Sequence, residues 1–239
     1  MSARKTIQIT QTAFLIVLVF ISTVIFSLYI PETRGFFNIG EAGVYIAAFI
    51  GGPVIGGIAG GVGSMLADVY LGYYWYAPAT LVIKGIEGLI VGFLSKKLKL
   101  KGKIGYTLGF ILVLVGGFSL YVLGNLFYLG ESDISIPILP GQSFSIELIN
   151  LVWIIVSAIF IISMLVFVIK DPSSSGLIIS AMIGGISMIL GYFLYEQFIL
   201  QYAAIVEVPF NVMQCLIGTL VSINVYKAFS RLRIREVIS

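Results

Sequence analysis

The sequence predicts an all-α polytopic membrane protein: a single membrane domain over residues 1–239 with eight membrane segments and both termini in the cytoplasm. Three observations predict it. Hydrophobic residues make up 59% of the chain and charged residues 10%, with a mean hydropathy of +1.09. Soluble domains carry roughly 25% charged residues, so this composition is stable only with lipid as solvent. Long apolar runs recur along the chain, separated by short polar or basic stretches. Finally, twelve of the fourteen Lys and Arg fall on one side if eight segments alternate, and the positive-inside rule makes that side the cytoplasm.

The first segment, residues 7–30, follows Arg4 and Lys5 and is stopped by Pro31. It is too long for a signal-peptide core and is expected to be retained. Residues 39–51 would make roughly 20 Å of helix, short of the roughly 30 Å hydrocarbon core, so this second segment needs shelter inside a bundle. The turn "GGPVIGG" opens a third, glycine-rich segment that runs to about Leu71, with Pro53 suited to a first helical turn. Within it Gly56, Gly60 and Ser64 recur at spacing four, the small-residue pattern of close helix contact in lipid. The fourth segment starts near Pro78 and ends at "KKLKLKGK". Segments at about 104–129, 147–169, 176–200 and 208–229 complete the set. Between the fifth and sixth, "GESDISIPILPGQSFS" reads as a polar loop at the outer face. Arg34 and Lys84 are the two basic residues off the cytoplasmic side, whereas Glu32, Glu41, Glu131, Asp133, Glu147 and Glu207 gather at or near the outer face.

One cysteine and no histidine exclude a disulfide framework and the usual zinc, haem and Ser-His constellations. No catalytic residue, metal site, cofactor or nucleic-acid partner is expected. No nucleotide-binding loop is present, so any ATP-driven step needs another subunit. Ionisable groups inside a bilayer cost several kcal/mol unless paired or wet, which makes each a functional candidate. Lys84 and Glu87 share one helix face, as a ligand contact or an internal ion pair. Glu41 and Tyr45 share a face of the short segment, with Asn38 able to cap its start and Glu41 placed at the outer rim, where it can stay hydrated. Asp68 ends the glycine-rich segment just before an aromatic cluster that includes Trp75 and Tyr76. Most of that cluster suits the membrane interface, with one or two rings free to stack on a ligand. Tyr195 and Glu196 at the outer end of the seventh segment, and Asn211 with Gln214 on one face of the eighth, complete a pocket open to the outside.

The stretch "FNIGEAGVYIAAFIGGPVIGGIAGGVGSMLADVYLGYYWYAPATLVIKGIEGLIVGFLSKK" resembles the second to fourth helices of substrate-binding S components of energy-coupling factor (ECF) transporters, especially the group of riboflavin and hydroxymethylpyrimidine carriers. The stretches "GYFLYEQFIL" and "VPFNVMQCLIG" resemble the last two helices of that group. The resemblance implies six helices, at residues 7–98 and 176–229, and leaves 99–175 as an inserted helical hairpin. It further implies a vitamin site near the outer face and docking onto a membrane-embedded T component that carries two ATPases. In that family the binding module is thought to topple in the membrane to release its cargo. Asn211 matches an asparagine that contacts ligand in riboflavin carriers, while Gln214 and Gly191 stand where those carriers have a lysine and an asparagine. Many S components carry an Ala-x-x-x-Ala contact for the T component on the first helix; this chain departs from it, the nearest small-residue pair being Ala13 with Val17.

The leading expectation is therefore a non-catalytic binding and translocating subunit for a vitamin or vitamin precursor. The alternative is a stand-alone carrier coupled to protons through Glu41, Glu87 or Glu196.

Overall fold

A computed structural model of the chain describes residues 3–30, 35–127, 129–135, 143–199 and 204–238. Its elements in chain order are α1 (Ala3–Val24), β1 (Ser27–Ile30), β2 (Gly35–Asn38), α2 (Gly40–Leu71), α3 (Ala77–Lys97), α4 (Gly102–Phe127), β3 (Gly130–Ser135), β4 (Ser143–Leu148), α5 (Asn150–Lys170), α6 (Ser174–Ile199) and α7 (Ala204–Ile238). Among the described residues, seven helices are long and apolar enough to span a membrane. Glu32 and Arg34 lie outside the described residues.

One of the seven, α2, is two segments. Gly52 takes φ 76° and ψ −165°, a left-handed conformation that costs glycine little, and Pro53 follows it into a new first turn. The chain folds back there. A side chain at Gly56 would lie 2.7 Å from the Ala48 Cα, and one at Gly60 would lie 3.1 Å from Val44, residues that a straight helix would hold roughly 12 and 24 Å away. The limbs 40–51 and 53–71 are thus antiparallel, as the short apolar run and the Gly-Pro turn predict. Glycines also bring α3 onto this hairpin: the space at Gly57 is closed by the Gly85 carbonyl at 3.0 Å, and that at Gly92 by the Gly52 carbonyl at 2.6 Å. The second limb ends at Gly72, φ 87°, where the Tyr73 N–H donates to the Asp68 carbonyl at 2.8 Å and turns the chain back across the bundle end.

α1 buries a stripe of Leu15, Val19 and Thr23 against α2. Its opposite face, with Ala13 and Val17, is exposed. α6 and α7 close the other side of the hairpin, so the buried core runs through Val44, Tyr45, Ala181, Met213 and Leu216.

α4 and α5 form a second antiparallel pair. Glycines of α4 receive large side chains of α5, with Gly116 against Phe160 at 2.9 Å and Gly124 against Trp153 at 2.5 Å or closer. Ser163 and Asn224 exchange hydrogen bonds of 3.1 and 2.9 Å between α5 and α7. Below them, Lys227 donates to Asp171 at 2.8 Å. Burial pushes the Asp171 carboxyl up, but hydrogen bonds from Lys227 and Ser173 outweigh it and hold the group below the ordinary carboxylate range. A depressed carboxylate adds stability above its unfolded pKa and loses it as pH falls through its folded pKa. Asp171 is half exposed, so the effect is small, on the order of 0.2–1 kcal/mol. The expected result is a slightly lower melting temperature for Asp171→Asn at pH 7, converging with the parent in acid, as read by thermal melts across pH.

Five departures from the sequence expectations stand out, the first four of them consequences of long-range strand pairing. The first span ends at Val24, not at residue 30, because residues 27–30 form a strand. The fold is not purely helical: β2-β1-β3-β4 make one antiparallel sheet, with Ser27 opposite Asn38 and Ser135. Glu147 belongs to β4 opposite Glu131 rather than to a span. The expected polar loop supplies β3 and β4, and its residues 136–142 lie outside the described residues. α7 begins at Ala204 and takes in Pro209, four residues earlier than the sequence marks.

Candidate functional site

The first limb of α2 begins deep in the bundle, and a cavity opens above its first turn. Asn38, at the end of β2, accepts the Gly40 N–H at 2.7 Å and so meets one of the free donors of the helix start. Glu41 follows it, 1% exposed. The rim position expected for Glu41 is therefore overturned: Gly218 of α7 has no side chain, and the Glu41 Cβ occupies that space. A carboxylate so placed must be paired. Lys84 of α3 supplies the ion pair and hydrogen bond, and reaches Glu87 at 3.2 Å. Tyr45, one turn below Glu41, donates to Glu87 at 3.1 Å, and its hydroxyl lies 3.5 Å from the Cys215 sulfur. Two carboxylates, one ammonium, a phenol and a thiol form the buried floor.

The walls rise from five helices and one strand. α1 gives Thr23; α2 gives Ser64 and Asp68; α3 gives Thr80 and Lys84. α6 gives Tyr192 and Glu196, and α7 gives Glu207, Asn211 and Gln214. Tyr73 and Tyr76, on the turn that Gly72 creates, lie over the top. The space free of protein atoms is about 620 Å³, its open mouth and the solvent above it included. Neither α4 nor α5 contributes to the lining.

Hydrogen bonds stiffen these walls. Tyr192 donates to the Thr80 hydroxyl at 3.0 Å, and Thr80 in turn hydrogen-bonds Asp68. The Tyr192 ring also faces the Lys84 ammonium, 5.6 Å from its centroid, a cation–π contact. Tyr195 donates to the Trp75 carbonyl and meets the Tyr76 ring edge-on at 5.8 Å, fastening α6 to the turn.

Of the residues singled out from sequence, Asn38, Asp68, Tyr76, Lys84, Glu196, Asn211 and Gln214 line the cavity. Glu41, Tyr45 and Glu87 lie beneath it and hold Lys84. Trp75 points away, 83% exposed, and serves the site only through its backbone carbonyl. Ser64, read as a packing residue beside Gly56 and Gly60, stands on the wall. Thr23, Thr80 and Tyr192 were not singled out, and Glu207 was named only among the acids of the outer face. Tyr192 had one available signal: it adjoins Gly191, whose own missing side chain faces Ile83 of α3. Among the described residues, no group of three or more His, Cys, Asp or Glu side chains is placed to hold a metal ion.

Comparison with known proteins gives this geometry a context. Residues 3–170 match the family model described as the S component of the ECF-type riboflavin transporter. An uncharacterized protein of Pyrococcus woesei is 45% identical over 106 residues, which is 43% of this chain and 71% of that protein. A thiamine precursor transporter, HmpT, of Lactococcus lactis subsp. cremoris (strain MG1363) is 29% identical over 122 residues, or 51% of this chain and 69% of the relative.

Proposed function

The chain belongs to the family of S components of ECF-type riboflavin transporters, a multi-pass protein of the cell membrane, and from that membership we propose that it is the vitamin-binding and translocating subunit of an uptake system powered in trans. The family is one of transporter components, and the proposed role is non-catalytic. Its partners would be a T component and two ATPase subunits, and its cargo a vitamin or vitamin precursor. The thiamine precursor transporter among its relatives supports the same class of cargo.

One observation carries this reading: hydroxyl, amide, carboxyl, ammonium and tyrosine groups from α1, α2, α3, α6 and α7 converge on one cavity at one end of the bundle. Counting the two limbs of α2, those elements are six segments. We assign them as the binding body and the α4–α5 pair as an added hairpin packed on its flank. The family match, residues 3–170, covers α1–α5 and ends before α6. Lys96, Lys97, Lys170 and Lys227 at the opposite end from the cavity support, by the positive-inside rule, an orientation with the termini in the cytoplasm and the cavity mouth outside. The exposed Ala13–Val17 face is the candidate surface for the T component.

The test is equilibrium binding to a vitamin panel with the full chain in lipid nanodiscs. Submicromolar binding is expected for one member, with Asn211→Ala weakening it more than about tenfold at an unchanged melting temperature, the scale of a lost buried hydrogen bond. In liposomes, uptake is expected only when the T component, the ATPases and ATP are present. Uptake by this chain alone without ATP, abolished by a protonophore, overturns the proposal in favour of a stand-alone carrier.

A further inference from the structure

We infer that the cavity selects a planar, positively charged nitrogen heterocycle over neutral or anionic vitamins. This rests on the vitamin-binding role proposed above and names the charge class of the cargo.

The first observation is the charge of the walls. Asp68, Glu196 and Glu207 line the cavity, while Lys84 is the one basic side chain lining it among the described residues. Lys84 is already engaged, held between Glu41 and Glu87. Cavity and floor together hold five carboxyl groups against one ammonium. In a space walled by protein, those of the carboxyls that are ionised give the site a negative potential, and the others can pass a proton to a basic guest, so both forms favour a cation.

A second observation, independent of the first, is the state of two of those carboxyls. Asp68 is 7% exposed and Glu196 4% exposed. On each, one oxygen, Asp68 Oδ2 and Glu196 Oε2, is buried with no hydrogen-bond partner. Buried polar groups are normally satisfied, so an unpartnered one calls for a partner such as an ordered water, an ion or a ligand group. The two stand on different walls, Asp68 on the last turn of α2 and Glu196 near the end of α6. Glu207 lies close enough to Glu196 for their charges to interact. A cationic ring carrying N–H donors suits the two carboxyl groups, which can accept charge-assisted hydrogen bonds from it.

The third observation is aromatic. Tyr73, Tyr76 and Tyr192 line the same space, and ring faces attract cations as well as stacking on planar heterocycles. An anionic phosphate ester would instead meet carboxylates with no uncommitted lysine or arginine among the described lining residues. A neutral flavin would leave the two buried oxygens without a charged partner.

The experiment uses the full chain in nanodiscs and titration calorimetry with four probes. Thiamine and its aminopyrimidine alcohol half are cationic or readily protonated, riboflavin is neutral, and pyridoxal 5′-phosphate is anionic. The expected result is binding of thiamine or the aminopyrimidine at least about a hundredfold tighter than either other probe. Asp68→Asn and Glu196→Gln should each weaken it at least about tenfold. Equal or tighter binding of riboflavin or pyridoxal phosphate by the parent protein overturns the charge selection and leaves the vitamin-binding role standing. If folded protein binds none of the four and no vitamin in a wider panel, both fall; if it binds none of the four but a neutral or anionic vitamin of that panel, the charge selection alone falls. If the two variants fail to fold, the preference of the parent protein decides.

Discussion

Lys84→Met should be among the most destabilising single changes in the protein, lowering stability by about 3–5 kcal/mol, the scale for removing one partner of a buried ion pair. The reason lies beneath the cavity. Glu41 and Glu87 are 1% and 0% exposed, and Lys84 is the ammonium that both face. Without it, two carboxyls remain in an apolar bundle with Tyr45 as the remaining donor to Glu87. Methionine keeps the volume of the stem, so the loss reports charge rather than a cavity. The triple variant Lys84→Met, Glu41→Gln, Glu87→Gln should recover most of the lost melting temperature, because the uncompensated charges leave together. Folded yield and thermal melting in detergent measure both. A Lys84→Met protein that melts like its parent would show that the floor does not depend on this pair of contacts.

The second large effect is expected from Gly88→Val. A side chain at Gly88 would meet the backbone of the facing limb, the Gly56 carbonyl carbon at 2.7 Å and the Gly57 nitrogen at 3.1 Å. Backbone cannot rotate away as a side chain can, so α3 must move off α2, at a cost of roughly 1–3 kcal/mol or more. That displacement also shifts Lys84 from Glu41, one turn above, which couples the packing of small residues to the charge pairing. Loss of folded protein and of ligand binding together is the expected outcome. Gly85→Ala is the matched control on the same helix: its added carbon would meet only the Gly57 carbonyl, at 3.6 Å, an ordinary contact. Equal behaviour of the two variants would refute close packing as the role of Gly88.

Much of the helical framework was legible because its signals are local. Apolar length marks a span, Gly52-Pro53 marks a reversal, and basic runs mark ends, so eight segments can be counted from the chain alone. Several cavity residues were legible for the same reason: Asp68, Glu196, Asn211 and Gln214 are polar groups at span ends that lipid would not tolerate. The strands were not. β1 pairs with β3 across roughly a hundred residues, and runs of four to six residues beside long apolar helices carry no periodicity of their own. Depth was not legible either. Sequence places Glu41 at the start of a short helix, but only the lateral register of α2 against α3 and α7 shows that this start is buried. Thr23, Ser64 and Thr80 escaped because single hydroxyls are common in membrane helices, where they bond their own backbone, as Thr23 does to Val19 at 2.9 Å. Which face such a residue presents is a tertiary fact.

The first limb of α2 has a further consequence, one of size. Residues 40–51 span roughly 18 Å, so against a hydrocarbon core of roughly 30 Å about two helical turns are missing above Gly40. The cavity opens above Gly40, where those turns would stand, with Asn38 and Gly40 in its lining. The chamber is an omitted piece of helix, partly refilled by β2. Its depth is therefore set by how many residues separate Asn38 from Gly52: each turn added there would raise the floor by about 5.4 Å, and each one removed would make room for a longer cargo.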